Sequence, residues 1–457
     1  MPAAVMWFRR DLRLSDNPAL AAAAHHAGAG DPVVALFCLD DRLRAPSGPA
    51  RLAFLSGALH ALDESVGGHL VVRSGKPTDT VAAVAAEVGA DRVFVAEDFG
   101  PYGRTRDHEV EATLDQHGVE LVRVGSPYAV PPGEIVTKVG EPYKVFTPYS
   151  RAWLAHGWPA PIPAPRADTV TWATDVPGDG IPAAPEVDAD LPEPGEAAAK
   201  RAARRFYDGP LADYAAARDR PDADATSRLS TYLKWGCIHP RQLLAKLGRT
   251  RSHEVFRTEL AWREFYADVL WHRPDTVHRA FDPRMRAMPI DEGADTDRAF
   301  TAWTEGRTGY PIVDAGMRQL AAEGWMHNRV RMIVASFLVK DLHLDWARGA
   351  RYFMAQLVDG DLASNHHGWQ WVAGTGTDAA PYFRIFNPVT QGERYDPHGD
   401  YVRRWVPELH AVPGKAVHQP WKLPGGRPAG YPDRLVDHAD ERAEALRRYD
   451  AVRTSRH

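Results

Sequence analysis

Short apolar segments alternate with segments of helical spacing near the start of the chain. The apolar segments cover residues 5–8, 33–39, 70–72, 93–96 and 119–124, and helical spacing occurs at 52–62, 80–88 and 104–117. Asn17 followed by Pro18 opens a further alanine-rich helix, because Asn caps helix N-termini and Pro suits the first helical position. Strands that alternate with helices predict a doubly wound α/β domain around a parallel, five-stranded sheet.

A proline-rich segment separates this domain from a helical one. Residues 159–194 contain nine prolines in 36 positions. Proline removes backbone donors and fixes φ, so we expect an extended, irregular course. From about Glu196 onward the spacing is helical, with breaks at Gly and Pro. The sequence therefore predicts an α/β domain at 1–130, an interdomain connector at 131–199 and an all-α domain at 200–457.

Composition and charge narrow the class of protein. Hydrophobic residues make up 44% of the 457 residues and charged residues 25%, which is typical of a globular chain. Residues 1–199 hold 16 Lys and Arg against 27 Asp and Glu, a balance of −11, whereas residues 200–457 hold 39 against 33, a balance of +6. The basic half is a candidate surface for a polyanion, although such a balance is also ordinary for a solvated domain.

Cysteine content, apolar run length and missing motifs exclude several classes of protein. Two cysteines, Cys38 and Cys237, exclude a disulfide scaffold and a cysteine zinc site, and they fit a reducing cytosol. No apolar stretch approaches the ~20 residues of a membrane span and no apolar signal core follows Met1, so we expect a cytoplasmic protein without membrane contact. No G-x-G-x-x-G follows the first strand and no G-x-x-x-x-G-K-[ST] occurs, which removes the main support for a dinucleotide or P-loop fold.

Two helical segments carry polar and aromatic side chains at i, i+3, i+4 and i+7, the spacing of one helix face. The two sets are Glu259, Trp262, Arg263 and Tyr266, and Trp325, Asn328, Arg329 and Met332. The first set combines a carboxylate, an indole and a guanidinium, which is unusual for a helix face in a protein core. The second set places an amide beside an indole and a thioether, which suits a pocket that binds the polar edges of a ring. Each set also fits a plain amphipathic helix, with a Glu–Arg ion pair in the first and a solvated face in the second.

Hydroxyl and guanidinium donors cluster in the segment 226–230, Thr-Ser-Arg-Leu-Ser. Such donors suit a diphosphate, especially near a helix N-terminus, although hydroxyl clusters also cap helices. Asp359 and Asp361 flank a glycine and can either accept from ribose hydroxyls or cap the next helix. His366 and His367 have no partner at ligand spacing, so we assign them to structure and predict no metal site.

Six motifs in chain order resemble the photolyase/cryptochrome family and, within it, the class I cyclobutane pyrimidine dimer (CPD) photolyases. They are WFRRDLRLSDN at 7–17, TSRLS at 226–230, WREFY at 262–266, GYPIVDA at 309–315, GWMHNRVR at 324–331 and the run 368–391, which contains GTDAAPYFR. Together they span nearly the whole chain, and motifs of this length in this order are far more specific than any one fragment. The resemblance implies light-dependent repair of CPDs in DNA by electron transfer from excited, reduced FAD to a flipped-out dimer.

The resemblance implies a set of flavin-binding residues in the helical domain, where FAD adopts a folded-over shape. The matching positions are Tyr214, Thr226, Ser227, Arg228, Leu229, Ser230, Arg263, Trp325, Asp359, Gly360, Asp361 and Asn365. Asn365 matches the residue that faces flavin N5, and a neutral amide there accepts from N5–H of the reduced flavin without adding a charge.

The resemblance also implies a lesion pocket beside the flavin. The residues given catalytic roles are Glu259, Trp262, Met332, Asn365 and Trp371, with Trp262 and Trp371 as aromatic walls and Glu259 on the base edge of the dimer. The positions that match DNA contacts are Arg218, Glu259, Trp262, Tyr266, Asn328, Arg329, Arg384 and Gln391. The resemblance implies histidines at the positions of Asn328 and Met332 in relatives that repair (6-4) photoproducts. Because this chain has no histidine at either position, a CPD substrate is favoured.

Trp369 and Trp346 match the inner and middle members of the family's three-tryptophan photoreduction chain. The outer member should lie shortly before Trp303, at residues 291–294, but the sequence there is Asp-Glu-Gly-Ala and no Trp occurs after Trp271 until Trp303. We therefore expect photoreduction of oxidised flavin to be slow or to use another exit, while repair by an already reduced flavin proceeds.

The α/β domain is expected to hold an antenna chromophore. The positions that match the antenna site of deazaflavin-binding relatives are Arg10, Phe37, Asp98 and Lys234. The resemblance implies an Asn-Glu pair in folate-binding relatives at the positions of Tyr102 and Gly103 in this chain. Because that pair is missing here, 8-hydroxy-5-deazaflavin is favoured over methenyltetrahydrofolate, FMN or an empty groove. A phenolate-bearing deazaflavin would be stabilised beside Lys234.

Two other functions stay open at the level of sequence. A cryptochrome-type blue-light photoreceptor would be indicated by a C-terminal tail or a changed N5 residue, whereas the chain stops soon after Trp421 and carries Asn365. A nucleotide-binding protein without photochemistry would be colourless when purified. We expect UV-damaged DNA as the partner, and nothing in the sequence requires an obligate protein partner or more than a monomer.

Overall fold

The N-terminal part of the chain folds around a parallel sheet. The computed structural model describes residues 3–28, 30–166, 169–382 and 384–454, so Phe383 of the GTDAAPYFR motif lies outside the described residues. The strands are β1 (Ala4–Phe8), β2 (Pro32–Leu39), β3 (Leu70–Ser74), β4 (Arg92–Val95), β5 (Glu120–Arg123) and β6 (Thr171–Trp172). Strands β1 to β5 pair in parallel in the order β3-β2-β1-β4-β5, which confirms the predicted five-stranded, doubly wound sheet.

Helices surround the sheet and make up most of the C-terminal half. In the described residues they are α1 (Pro18–Ala27), α2 (Asp41–Arg44), α3 (Pro49–Ser65), α4 (Pro77–Glu87), α5 (Pro101–Asp115), α6 (Phe146–His156), α7 (Glu196–Asp208), α8 (Tyr214–Ala217), α9 (Ser230–Trp235), α10 (Pro240–Leu244), α11 (Arg251–His272), α12 (Ala294–Thr304), α13 (Pro311–Glu323), α14 (Asn328–Lys340), α15 (Trp346–Gln356), α16 (Leu362–Ala373), α17 (Pro388–Tyr395), α18 (Asp400–Trp405) and α19 (His438–Thr454). The helical segment predicted from Glu196 onward begins at that residue, and Asn17 caps α1 as predicted by accepting from the backbone N–H of Leu20 at 3.1 Å.

The proline-rich connector is extended, but it is not wholly irregular. Its two-residue strand β6 pairs in parallel with the first residues of β2, where Thr171 lies opposite Pro32 and Trp172 opposite Val33. Strand β3 pairs with β2 only from Ala35 onward, so β6 covers the stretch of β2 that β3 does not reach. The connector therefore returns to the sheet before it enters the helical domain.

The two domains share a hydrophobic core. Alternate residues of β1 face opposite sides of the sheet, and both sides are buried, as expected for a parallel sheet covered by helices. Met6 and Phe8 belong to the same apolar cluster as Phe265 of helix α11, so one side of the sheet packs onto the helical domain. A second large cluster is built from α13 to α16 and the segments after them.

One glycine makes the close approach of the domains possible. Gly236 ends α9 with φ of +68°, a left-handed conformation that favours glycine. A Cβ at this position would lie 1.9 Å from the carbonyl oxygen of Arg10, so a larger residue would push α9 away from the loop after β1.

Candidate functional site

Helix α11 carries the first polar-aromatic set into the region between the two core clusters. Thr250 caps the helix by accepting from the backbone N–H of His253 at 3.4 Å. The indole of Trp262 stacks on the ring of Phe146, with centroids 3.6 Å apart and planes 8° apart, and Tyr266 lies 5.3 Å from the same indole. Phe146 is buried whereas Trp262 is half-buried, so the indole is the accessible member of the stacked pair.

A cluster of charges lies one helical turn before the stacked indole. Glu259 forms an ion pair with Arg218, whose guanidinium lies 5.8 Å from the ring centroid of Tyr214. Arg329 donates to Asp219, the neighbour of Arg218, at 2.9 Å. Burial raises the pKa of Glu259, and the charge of Arg218 opposes that rise. The structure thus brings together a predicted base-edge carboxylate, two predicted DNA contacts and a predicted flavin contact.

Arg263 does not take part in the Glu–Arg pair that an ordinary amphipathic helix would form. Its guanidinium donates to the carbonyls of Pro127 at 3.1 Å and Leu233 at 3.3 Å, and it lies 4.6 Å from the ring centroid of Tyr128. Since Pro127 and Tyr128 precede the connector and Leu233 lies on α9, Arg263 fastens these segments to α11.

Asp361 both caps α16 and crosses to the α/β domain. Its Oδ1 accepts from the backbone N–H of Ser364 at 3.0 Å, and its Oδ2 accepts from the guanidinium of Arg10 at 2.7 Å. Burial would raise the pKa of Asp361, but the positive charges of Arg10 and Lys234 hold it well below its ordinary value. Of the two sequence interpretations of this residue, helix capping is the one the structure shows.

Asp359 and Asn365 each present an oxygen that can accept a further hydrogen bond. Oδ2 of Asp359 accepts from Arg331 at 2.8 Å, while its buried Oδ1 has no partner within the described part of the chain. Nδ2 of Asn365 donates to the carbonyl of Ala350 at 2.9 Å, which orients the amide and leaves Oδ1 as an acceptor. A buried carboxylate oxygen and an amide oxygen suit the hydroxyl and N–H donors of a flavin nucleotide, so these residues fit the expected cofactor.

The segment 226–230 leads into helix α9 and contacts Trp325. Trp325 donates from Nε1 to the hydroxyl of Ser230 at 3.4 Å, and the guanidinium of Arg228 lies 4.4 Å from the Trp325 ring centroid. Arg228 has φ of +49° and is also 3.3 Å from Glu323. Ser230 and Arg228 are exposed, so hydroxyl and guanidinium donors are accessible beside an indole, a combination that suits a diphosphate.

The polar residues of the expected antenna site meet at the carboxyl edge of the sheet. Arg10 follows β1, Asp98 follows β4, and Lys234 comes from α9 of the helical domain. Burial and the charge of Arg10 lower the pKa of Lys234 to about 7. Burial would raise the pKa of Asp98, but Arg106 and other guanidinium groups lower it to about 2. Because Arg10 also pairs with Asp361, the expected antenna and flavin residues form one connected charge cluster.

Phe37, the apolar member of this set, lies on β2 opposite Phe8 of β1. It is buried near the end of β2 and belongs to the core cluster shared by the two domains. At the same edge the hydroxyl of Tyr102 donates to Asp40, and burial together with that carboxylate raises the pKa of Tyr102 above its ordinary value.

The two expected electron-transfer tryptophans lie on neighbouring helices. Trp369 of α16 lies against Gly349 of α15, where an added Cβ would be 2.2 Å from the indole ring. Trp346, at the start of α15, has an aromatic contact with His366 at 6.2 Å between centroids. It also borders a cavity of about 410 Å³ whose lining includes Met288 and Ile290, directly before the segment that lacks the third tryptophan.

The paired histidines of α16 are neutral structural groups. His366 pairs through Nδ1 with the carbonyl of Leu362 at 3.1 Å, and the ring of His367 stacks on Tyr266 at 5.6 Å. Burial lowers the pKa of His366 to about 4 and that of His367 to about 3. The described residues contain no group of three or more His, Cys, Asp and Glu side chains that could hold a metal ion.

We call the boundary between α11 of the first core cluster and α14 and α16 of the second cluster the seam. The remaining predicted pocket and DNA residues are described relative to it. Met332 of α14 and Trp371 of α16 are half-buried against the second cluster, whereas Trp262 packs at the edge of the first. Because α11 and α16 pack against each other, the two expected aromatic walls lie on helices that flank one seam. Asn328 and Arg384 are exposed, and Gln391 is half-buried on α17.

Sequence reasoning missed three residues of this site. Phe146 stacks on Trp262 from a helix more than a hundred positions earlier in the chain, and no local sequence pattern predicts that contact. Asp219 binds Arg329 across a similar distance in sequence. The sequence did contain a signal for Arg331, the residue that donates to Asp359, because Arg331 is the last residue of the GWMHNRVR motif.

Comparison with known proteins gives a consistent result over the whole chain. Residues 4–166 match the family model described as DNA photolyase, and residues 256–451 match the FAD binding domain of DNA photolyase. A deoxyribodipyrimidine photo-lyase from Streptomyces griseus is 44% identical over 97% of this chain and 98% of its own. No helix within the described ranges is long and apolar enough to cross a bilayer.

Two solved structures resemble the whole chain. A bacterial class III photolyase from Agrobacterium tumefaciens superposes with a TM-score of 0.92 at 38% identity, over 100% of this chain and 98% of its own. An archaeal photolyase from Sulfolobus tokodaii, described with two FAD molecules, has a TM-score of 0.85 at 29% identity, over 98% and 99% of the two chains. The expected class I type and deazaflavin antenna therefore stay predictions.

Proposed function

Since the chain belongs to the photolyase/cryptochrome family and is a DNA photolyase by its full-length relatives, we propose that its substrate is the CPD in DNA. The observation that carries this proposal is the seam between the core clusters. There the half-buried Trp262 and the ion-paired Glu259 lie on α11, which packs against α16, the helix that carries both Asn365 and Trp371. An accessible indole provides a stacking surface for an unpaired base, and a half-buried carboxylate provides an acceptor for its polar edge.

The FAD-binding domain supplies the cofactor site. The hydroxyl and guanidinium groups of Ser230 and Arg228 would hold the diphosphate, and the free Oδ1 of Asp359 would accept from a sugar hydroxyl. Asn365, oriented by the carbonyl of Ala350, would keep its Oδ1 toward the ring N–H of the flavin. The bound, reduced flavin supplies a light-driven one-electron donor, and the protein provides binding, orientation and electrostatics.

The residues around the lesion act without gaining or losing protons at neutral pH. Glu259 stays paired with Arg218, so it can accept from a base N–H while its charge remains balanced. The neighbouring histidines, His366 and His367, are neutral because their pKa values lie far below 7. Asn328 and Met332 add no acidic proton either, which suits ring opening in a CPD rather than the proton transfers of (6-4) repair.

We further infer that the carboxyl edge of the sheet binds an anionic antenna, with 8-hydroxy-5-deazaflavin favoured. Arg10 and Lys234 provide positive charge there, and Lys234 regains its full charge when an anion approaches. A flavin nucleotide is the competing occupant, because the archaeal relative is described with two FAD molecules. We also propose that the protein acts as a class I enzyme, as a cytoplasmic monomer and without an obligate protein partner.

The proposal is tested with two synthetic duplexes, one with a single CPD and one with a single (6-4) photoproduct. The purified holoenzyme is chemically reduced without oxygen and illuminated with blue light, and restored thymines are measured by chromatography. We expect restoration in the CPD duplex in light, and none in the dark or in the (6-4) duplex. Repair of the (6-4) duplex alone would overturn the substrate assignment, and repair of neither would favour a photoreceptor.

A further inference from the structure

A series of aromatic rings leads from Trp369 to the protein surface away from Trp346. The centroid of Trp303 lies 6.2 Å from that of Trp369, with the planes at 68°, and Phe353 lies 5.0 Å from Trp369 as a second contact. The ring of Tyr352 lies 5.6 Å from Trp303, and Phe300 lies 5.7 Å from it. Tyr352 is half-buried, so the series begins in the core of the helical domain and ends at solvent.

We propose that Trp303 and Tyr352 form the exit through which Trp369 is re-reduced, with Tyr352 as the surface donor that the segment 291–294 lacks. The proposal rests on the proposed function, because it requires a photoexcited, oxidised flavin next to Trp369 as the oxidant. Electron transfer between rings in contact is fast, and both steps of this path join rings whose centroids are close.

The surroundings of Trp303 suit a short-lived relay. Trp303 is fully buried, and its Nε1 donates to the backbone carbonyl of Val334 at 3.1 Å. A carbonyl oxygen is too weak a base to remove the indole proton, so an oxidised Trp303 stays a radical cation. A tryptophan radical cation is a stronger oxidant than the neutral radical, which favours electron transfer from the next ring.

The surroundings of Tyr352 suit a final donor. One electron passes from Tyr352 to the Trp303 radical cation, which becomes neutral tryptophan. Tyr352 releases its hydroxyl proton to water and becomes a neutral radical, and a thiol in solution then restores it by giving one electron and one proton. Its hydroxyl donates to the carbonyl of Thr304 over 3.4 Å, which is a long hydrogen bond. Arg348 lies over Phe300 at 3.9 Å and is paired with Asp297, so its positive charge is largely neutralised.

The route past Trp346 is less continuous, because the ring contact of Trp346 within the described residues is with His366, and the half-buried Tyr449 stacks on Tyr382 rather than on Trp346. Tyr382 borders the same cavity as Trp346 and stacks on Tyr449 at 4.4 Å, but Tyr382 is buried. Its hydroxyl faces the sulfur of Met288 at 3.9 Å, which cannot take up a proton. Oxidation of Tyr382 would therefore leave a charged phenol in the core, and Tyr382 serves as the matched control.

The experiment uses full-length holoenzyme with oxidised FAD, grown with ring-deuterated tyrosine or with ordinary tyrosine. After a blue flash, radicals are identified by transient absorption and by electron paramagnetic resonance, where deuteration narrows a tyrosyl signal. We expect a tyrosyl radical in the parent protein and in Tyr382→Phe, and its loss in Tyr352→Phe with a tryptophan radical left in its place. Trp303→Phe should lose the tyrosyl signal as well.

Three outcomes would overturn the proposal: no tyrosyl radical in the parent protein, a tyrosyl radical that persists in Tyr352→Phe, or one that disappears in Tyr382→Phe. Repair by chemically reduced protein separates this inference from the proposed function. Tyr352→Phe should repair CPDs as well as the parent once its flavin is reduced. If the parent protein itself fails to repair them, the proposed function is wrong whatever radicals appear.

Discussion

Glu259 is the residue that we propose binds the base edge of the lesion. Its carboxylate is held by Arg218 and sits one turn before an accessible indole on α11. Burial raises its pKa while Arg218 opposes the rise, so the pair keeps a charged acceptor in a partly dehydrated place. Replacing this carboxylate removes an acceptor for the base and also leaves Arg218 without its counter-ion.

We predict that Glu259→Gln lowers the affinity for CPD-containing DNA roughly tenfold, the loss expected for one charge-assisted hydrogen bond. Glu254→Gln is the matched control, because Glu254 is exposed in the first turn of the same helix. Binding is measured in the dark by fluorescence anisotropy with one CPD duplex and the same duplex undamaged. Equal losses on both duplexes would show that Glu259 does not recognise the lesion.

We predict that Lys234 makes binding of the proposed antenna depend on pH. Burial and Arg10 lower its pKa to about 7, so its ammonium is present below that pH and is lost as pH rises above it. An anionic deazaflavin prefers the ammonium, so its affinity should fall as pH increases from 7. Lys234→Met should bind the chromophore more weakly and lose most of this dependence. Quenching of deazaflavin fluorescence measures the affinity, and a parent protein whose affinity rises over that range would contradict the prediction.

Single residues were predictable from sequence where the interaction is local. The Asn17 cap of α1 needs only the next few residues, and Asp361 could be recognised as a possible cap for the same reason. The Arg10–Asp361 pair joins residues from different domains, and the stacking of Phe146 on Trp262 joins the connector to α11. Such contacts depend on the packing of whole elements, so no sequence spacing indicates them.

Helix α11 is also the element that fastens the connector. Glu264 accepts from the backbone N–H groups of Ala129 and Val130, at 2.5 and 3.2 Å, and from Nε1 of Trp153 at 2.6 Å. All three donors lie on segments before the helical domain. Glu264 is only 1% exposed, and this burial raises its pKa to about 7.

We predict that Glu264→Ala lowers the free energy of unfolding by about 3 kcal/mol, because three buried donors lose their acceptor. The exposed Glu254→Ala on the same helix should change it by no more than about 0.5 kcal/mol. Urea unfolding followed by tryptophan fluorescence measures both. A loss for Glu264→Ala no larger than that of the control would mean that water or another group replaces the carboxylate.

Strands and long helices were predictable because their periodicity is strong and their lengths are ordinary. The strand β6 was not, since two residues among many prolines carry no alternation, and β6 forms only because β2 offers unpaired backbone groups beyond β3. Likewise Trp303 and Tyr352 meet because side chains of α12 reach those of α15, which the sequence of either helix alone does not indicate.

Across the whole molecule, charge is divided between the two halves. The helical half carries a balance of +6, and Arg384, one of its predicted DNA-contacting residues, is exposed. We predict that DNA affinity falls steeply with salt, and that Arg384→Ala weakens binding to any sequence and reduces the slope of log K against log salt by about 1. Arg44→Ala in the acidic α/β domain is the control. An unchanged slope for Arg384→Ala would place that residue outside the DNA interface.

We propose that the seam between the two core clusters receives a flipped-out CPD beside the flavin. A crystal structure of the reduced holoenzyme with a CPD-containing duplex tests it most directly. We expect the dimer between Trp262 and Trp371, a base edge within hydrogen-bonding distance of Glu259, and the flavin ring next to Asn365. A dimer that stays stacked in the duplex, or a seam filled by protein side chains with the lesion bound elsewhere, would contradict it.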